Sequence, residues 1–111
     1  MKIKLSNLNP QFIQLDRTSA DLNRWSYREV KTLAEADGVR FLCPVHFEKN
    51  NGAAGTHSVI CWFRDHGIPA ELSPGPGRWV ASGELKSLTL IPSVDLGSGD
   101  WHGHIINGEV T

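Results

Sequence analysis

The sequence predicts a mainly β fold, with only a minor α component, built as a small β-sandwich or a partly open barrel. Short runs rich in β-branched and aromatic residues recur along the chain, and segments dense in Gly, Pro, Asn and Ser separate them. Only the stretch near residues 32–37 carries strong helix signals. We therefore expect five to seven short strands and one short helix, in a single domain over residues 1–111.

Most strands are predicted from local pattern and from the breakers between them. Residues 2–12 are predicted as an edge strand that runs into an extended stretch, because Asn9 precedes Pro10. Residues 57–63, HSVICWF, contain no breaker and are the best candidate for a central strand. The other predicted strands cover residues 25–30, 39–42, 79–81, 88–91 and 101–106, with 109–111 pairing back on the last.

Two local signals predict the helix and the final turn. Thr32 and Glu35 have the spacing of a capping box, and Gly38 is a typical C-terminal stop, so a helix of barely two turns is predicted over residues 32–37. The Asn-Gly pair at 107–108 is the strongest two-residue hairpin signal.

Composition disfavours two classes of partner. The 11 Lys and Arg nearly balance the 12 Asp and Glu, so the phosphate attraction on which nucleic-acid binding depends is weak. No apolar stretch approaches the ~20 residues that span a bilayer, and the first residues lack the apolar core of a signal peptide. We expect a cytoplasmic protein without membrane contact, in which both cysteines remain unpaired thiols.

Two pairs of residues have the spacing of metal ligands. Cys43 and His46 form a Cys-x-x-His step, which in a tight turn brings both side chains to one side. His102 and His104 lie two apart on a predicted strand, so they share one face at roughly 6–7 Å between Cα atoms. Imidazoles at that separation can converge on one ion.

Strand geometry selects among the remaining candidates. His57 and Cys61 share a face but lie about 13 Å apart at ~3.3 Å per residue, too far to bind one ion together. His57, at the start of its strand, is kept as a ligand, and Cys61 is assigned to the core. The predicted site, best suited to tetrahedral Zn²⁺, consists of Cys43, His46, His57 and His102, with His104 as a substitute ligand or supporting donor. The alternative is that these residues are separate and bind no metal.

A catalytic role for the ion would need a general base nearby. Asp95 and Asp100 could supply one, although Asp100 in LGSGD is more typical of a turn residue. The Asp-His pair at 65–66 is expected to be solvated in its loop. Cys43 could act as a nucleophile beside a histidine, but the proline that follows it suits a metal-ligand turn at least as well. The sequence contains no Gly-x-Ser-x-Gly, P-loop or His-Glu-x-x-His motif.

The four tryptophans require their own explanation. In a domain of this size their usual role is to fill or edge the core. The alternative is that the loop at 67–79, GIPAELSPGPGRW, presents Trp79, Pro74 and Pro76 as a partner-binding patch.

Five strings of the chain together resemble a family. FLCPVHF, NNGAAGTHSVICWF, PGPGRW, LTLIPSV and WHGHIINGEV are similar to a group of small phage- and prophage-encoded proteins of unknown function, over residues 33–110. The resemblance implies a compact β fold, a zinc site near residues 43–46 and an origin in a phage or integrated element. His46 stands where the family commonly has cysteine, and residues 97–100 lack a cysteine that relatives often carry before Trp-His-Gly.

These observations lead to three expected functions. The first is a non-enzymatic phage-type accessory protein, zinc-stabilised, that binds a host or phage protein and for example antagonises a host defence system. The second is a small metal-dependent hydrolase with a site around His57, His102 and His104. The third is a virion or assembly component whose aromatic and proline-rich loop makes a subunit contact.

Overall fold

Two antiparallel sheets form the framework of the molecule. The computed structural model describes residues 2–18, 25–74, 77–97 and 100–111. The strands in this part of the chain are β1 (Ile3–Lys4), β2 (Gln11–Leu15), β3 (Tyr27–Val30), β4 (Gly38–Leu42), β5 (Ser58–Trp62), β6 (Val80–Ser82), β7 (Thr89–Asp95), β8 (His102–Ile106) and β9 (Glu109–Val110). One sheet has the order β1-β9-β8-β7-β6 and the other has the order β3-β2-β4-β5. The mainly β prediction is confirmed, with nine strands described where five to seven were expected.

The helices among the described residues are few and short. One α-helix, α1, covers Pro44–Lys49. Single 3₁₀ turns occupy Leu5–Leu8, Leu33–Glu35 and Leu85–Ser87. None of the helices in the described ranges is long and apolar enough to cross a membrane.

The core lies between the two sheets. Phe12 and Phe41 from the four-stranded sheet pack in one cluster with Leu90 and Ile105 from the five-stranded sheet, and all four are at most 2% exposed. This packing makes the fold a sandwich.

The outer face of the four-stranded sheet carries a second, smaller cluster. Ile13 and Trp62 lie there with Leu72 from the loop that follows β5. The Trp62 indole N–H donates to the carbonyl of Ser73 at 3.2 Å. The long loop is therefore packed against the sheet as far as the structure describes it.

A short parallel contact joins the sheets at one corner. Phe63 and Trp79 form an isolated parallel bridge. The Trp79 N–H donates to the Trp62 carbonyl at 3.1 Å, and the Arg64 N–H donates to the Trp79 carbonyl at 2.7 Å. The sandwich is thus connected at the C-terminal end of β5, without closing into a barrel.

The predicted helix at 32–37 is wrong in type and extent. Only Leu33–Glu35 is helical, as one 3₁₀ turn, and the Thr32 hydroxyl donates to the Glu35 carboxylate instead of capping a backbone N–H. Ala36 already has extended geometry, because β4 begins at Gly38 and pairs with both β2 and β5. The demands of the sheet override a weak local helix preference.

The α-helix that does form, α1, lies where the sequence predicts a tight turn carrying Cys43 and His46. Pro44 occupies its first position, where a fixed φ and a missing N–H cost nothing. Sheet position also differs from expectation, since β5 is the last strand in its sheet and not a central one.

The final hairpin is confirmed. Asn107 and Gly108 have φ of 52° and 75°, and Ile106 pairs with Glu109 across them. Positive φ at both central residues is the backbone of a type I′ turn, which the Asn-Gly pair favours.

Candidate metal centre

Four side chains from three separate segments converge at one end of the sandwich. They belong to Cys43, His46, His57 and Asp100, and one ligand atom from each lies within 4.8 Å of the other three. Three of the four residues were predicted from the sequence. The fourth, Asp100, was considered there only as a turn residue or a general base.

Cys43 and His46 are placed by the start of α1. Cys43 is the residue before the helix, and its carbonyl accepts the Phe47 N–H at 2.9 Å. His46 is the third helical residue, so its ring turns back toward Cys43, and Nδ1 lies 3.2 Å from the Cys43 Sγ. The Cys-x-x-His prediction is confirmed in its geometry, although a helix and not a loop turn provides it.

His57 is held beside Cys43 by the backbone. The His57 carbonyl accepts the Cys43 N–H at 2.9 Å, which continues the pairing of β4 with β5 by one residue. The His46 and His57 rings then lie with centroids 4.8 Å apart and planes at 60°. This edge-on arrangement leaves the His57 Nε2 aimed at the same point as the His46 Nδ1.

Asp100 reaches the site from the opposite sheet. It lies in the connection between β7 and β8, where its N–H donates to the Gly97 carbonyl at 3.2 Å, and the buried Trp101 follows it. Its Oδ1 lies 3.5 Å from the His46 Nδ1 and 3.5 Å from the His57 Nε2. One carboxylate oxygen therefore faces both imidazoles.

Three of the ligand-atom distances are close to those of a tetrahedral metal site. Metal–ligand bonds of ~2.0–2.3 Å in a tetrahedron separate neighbouring ligand atoms by roughly 3.3–3.8 Å. Three of the six separations here are 3.2, 3.5 and 3.5 Å, and all six lie within 4.8 Å, so the four atoms would move closer by up to about 1 Å to bind one ion. One sulfur, two imidazole nitrogens and one carboxylate oxygen form a set suited to zinc and similar transition metals, whereas Ca²⁺ and Mg²⁺ prefer oxygen ligands throughout. The cluster could hold a metal ion.

The same geometry does not suit a cysteine–histidine–aspartate relay. In such a relay the imidazole contacts the thiol with one ring nitrogen and the carboxylate with the other. In this site the Nδ1 of His46 faces both the Cys43 sulfur and the Asp100 oxygen. Cys43 is also 0% exposed, so its sulfur is closed to a substrate.

The structure does not bring His102 and His104 to this site. They share one face of β8, as the two-residue spacing predicts, but that face is the outer surface of the five-stranded sheet. Gly103 and Ile105 take the inward positions and are buried. Asp100, two residues before His102, supplies the ligand from this part of the chain.

Cys61 lies in the core, as predicted. It is 0% exposed, and burial raises the pKa of its thiol far above the usual value. Both cysteines are free thiols, which agrees with the expectation that they do not pair.

The structure does not expose the predicted partner-binding patch as expected, because its tryptophan is buried. Trp79 is only 7% exposed and packs in the core between the sheets, with its indole N–H donating to the Ser93 carbonyl at 3.2 Å. The indole is therefore not offered to a partner. Pro74 is exposed, whereas Pro76 lies outside the described residues.

The other acidic candidates have structural roles. The Asp95 carboxylate accepts the Gly97 N–H at 2.9 Å and caps the turn after β7. Asp65 and His66 are exposed in their loop, as predicted, and the His66 Nδ1 lies 3.5 Å from the buried Asp37.

A cleft opens directly beside the metal-ligand cluster. It has a volume of about 260 Å³ and runs along β5, with His57 and Asp100 in its wall. Trp25, Ile60 and Leu96 supply much of its apolar lining. The cleft and the cluster thus have His57 and Asp100 in common.

Comparison of the chain with protein-family models, with curated proteins and with solved structures found no match in any of the three.

Proposed function

We propose that this chain is a zinc-stabilised β domain that acts by binding another protein and not by catalysis. The observation that carries the metal part is the convergence of ligand atoms from Cys43, His46, His57 and Asp100 within 4.8 Å of one another. Thiolate, imidazole and carboxylate are the ligands that Zn²⁺ uses in proteins, and four of them complete its usual tetrahedron.

The number of protein ligands favours a structural ion. A catalytic zinc has three protein ligands and leaves the fourth position to water, whereas this cluster offers four. The general bases considered for a hydrolase are also engaged: Asp100 belongs to the cluster, and Asp95 accepts a backbone N–H. A hydrolase is therefore the weaker proposal.

The origin of the ligands indicates what the ion would stabilise. Cys43 and His46 flank the start of α1, His57 precedes β5, and Asp100 comes from the connection between β7 and β8. A zinc ion bound by all four would tie the four-stranded sheet to the five-stranded sheet at this end of the sandwich.

The binding role rests on the sequence resemblance to small phage and prophage proteins. Phages encode many small proteins, and antagonism of a host defence system through binding of a host protein is one use that such a protein could have. Zinc binding would stabilise the conformation of the surface that contacts the partner.

The metal part is tested by elemental analysis of protein purified without chelator and without a histidine tag. We expect about one zinc per chain, and loss of that zinc in Asp100→Asn and His57→Ala. Both residues are partly exposed, so these variants should fold even if Cys43→Ala does not. His104→Ala and His102→Ala are the matched controls and should retain the metal.

Two results would contradict the proposal. Metal-free protein whose melting temperature does not change on adding zinc would exclude the site. Zinc-dependent ester or phosphodiester hydrolysis that disappears in His57→Ala would replace the structural ion by a catalytic one.

A further inference from the structure

The accessible side of the metal-ligand cluster faces the cleft along β5. Cys43 is fully buried, whereas the side chains of His57 and Asp100 are 48% and 32% exposed, and only these two line the cleft. A molecule in the cleft would therefore meet the metal from the side of its two exposed ligands.

Asp100 is the ligand most open to exchange. It lies in a turn, is one-third exposed, and contributes a carboxylate, a group that a second carboxylate can replace at the same ion. Exchange of Asp100 for the carboxylate of a bound molecule would keep four ligands on zinc, the usual number in a structural site. The metal end of the cleft thus favours a carboxylate on the molecule bound there.

The rest of the cleft favours an apolar body. Trp25 and Ile60 belong to the smaller cluster on the outer face of the four-stranded sheet, whereas Val59 and Leu96 pack against the core between the sheets. All four line the cleft, together with Pro74. The volume of about 260 Å³ is just below the ~300–1,000 Å³ of pockets for drug-sized ligands. We expect a small apolar acid, or the terminal residue of a peptide, to fit it.

Backbone groups of β5 are directed into the same space. The Cys43–His57 and Asp37–Phe63 hydrogen bonds fix the pairing with β4, so odd-numbered residues of β5 bond to that strand. Ser58 and Ile60 therefore direct their N–H and carbonyl groups away from β4, toward an edge that no strand in the described ranges covers.

We propose that this cleft binds a carboxylate with an apolar body, with the carboxylate at the metal beside Asp100 and the apolar part against Trp25, Ile60 and Leu96. The inference rests on the metal site proposed above. Two sources can supply the same chemistry: a free small acid, or the C-terminal residue of a protein whose main chain pairs with the edge of β5.

The test uses the full chain with Co²⁺ in place of zinc, because cobalt bound by thiolate and imidazole has a visible spectrum sensitive to its ligands. Titration with 4-phenylbutyrate should change this spectrum saturably, and 4-phenylbutanamide, which lacks the charge, should not change it. Leu96→Ala should weaken the acid about three- to tenfold, since roughly 1 kcal/mol of apolar contact is lost. Val80→Ala, on an exposed position of the other sheet, is the control and should bind as the parent does.

A second titration distinguishes the two sources. An acetylated tripeptide with a C-terminal leucine should bind at least tenfold more tightly than 4-phenylbutyrate if the source is a protein C-terminus, and its C-terminal amide should not bind. Equal or weaker binding of the peptide assigns the cleft to a free acid.

Failure of this inference is separable from failure of the metal site. A normal thiolate–cobalt spectrum that no carboxylate changes would overturn the cleft proposal and leave the metal site intact. Absence of that spectrum in the parent chain would overturn both.

Discussion

Asp37 is the only charged residue that is buried among the described residues, with 6% of its surface exposed. The Leu15 N–H donates to its Oδ2 at 2.9 Å, and the Arg17 guanidinium donates to both carboxylate oxygens at 2.6 and 3.2 Å. Burial by itself raises the pKa of this carboxyl group. The Arg17 and Leu15 hydrogen bonds outweigh that effect, so the pKa is lower than usual.

The lowered pKa predicts how stability depends on pH. The unfolded state binds a proton more readily than the folded state, so the contribution of Asp37 is fully present above its unfolded pKa of ~3.9. It is lost as pH falls through the lower pKa of the folded state. Removing the charge in Asp37→Asn should cost about 1–2 kcal/mol at neutral pH, because the charge-assisted hydrogen bonds from Arg17 are lost, although water screens the half-exposed guanidinium.

Urea denaturation of the parent and of Asp37→Asn, between pH 7 and pH 2, checks this prediction. Chelator in both samples removes any contribution from bound metal. The parent should lose more stability than Asp37→Asn as the pH falls below about 4. Exposed Asp65→Asn is the control and should follow the parent. If the free energy of unfolding falls equally with pH in the parent and in Asp37→Asn, then Asp37 does not cause the loss of stability in acid.

At the scale of elements, the final hairpin depends on a close backbone approach as well as on its turn. Gly108 has φ of 75°, and a Cβ built on it would collide with the Lys86 carbonyl of the neighbouring segment. The Gly108 N–H donates to the Leu88 carbonyl at 2.9 Å, and its own carbonyl accepts the Leu5 N–H at 2.8 Å. The turn is thus fixed on both sides.

Gly67 offers a matched comparison for this position. Its φ is 71°, but a Cβ there meets no atom within 4 Å among the described residues. Gly67→Ala should therefore cost only the backbone strain of about 1 kcal/mol, whereas Gly108→Ala should cost about 3 kcal/mol because the hairpin must also shift. Thermal unfolding of both variants measures the difference. Equal losses of stability in the two variants would mean that the backbone at Lys86 can move away from a Cβ at residue 108 without cost.

Sequence patterns were most informative where local chemistry decides the backbone. The Asn-Gly turn at 107–108 and the Cys43–His46 step both depend on neighbours within a few residues, and both were predicted correctly. The position of β5 at a sheet edge and the single 3₁₀ turn at Leu33–Glu35 depend on long-range pairing, which no local pattern contains.

The candidate site also combines features that local sequence predicts with features that depend on long-range packing. The spacing of His102 and His104 correctly placed them on one face, but which face points inward is decided by Gly103 and Ile105 in the whole sheet. Asp100 reaches the cluster through a turn between strands, so its contact with His57 cannot be derived from spacing.

At the scale of the molecule, the two sheets are linked at both ends of β5. At its C-terminal end, the backbone groups of Trp62 and Arg64 bond to Trp79 next to β6. At its N-terminal end, His57 meets Asp100 from the other sheet within the metal-ligand cluster. Only the second link would be strengthened by an ion bound in the proposed metal site.

Chelation should therefore weaken one end of the sandwich without unfolding the chain. Apart from Cys43, the two core clusters consist of residues outside the ligand set, so we expect them to persist without metal, whereas zinc fingers unfold without it. Loss of a zinc worth about 2–3 kcal/mol should lower the melting temperature by on the order of 10 °C.

Amide hydrogen exchange locates the effect of chelation. The Cys43 N–H, bonded to the His57 carbonyl, should exchange faster in chelator, while the N–H groups of Arg64 and Trp79 should keep their protection. His104→Ala should respond to chelator as the parent does, whereas His57→Ala should already exchange like the chelated parent. Loss of protection throughout the chain in chelator would mean that the ion supports the whole fold. An unchanged exchange rate at the Cys43 N–H would mean that the two sheets are held together at this end without the ion.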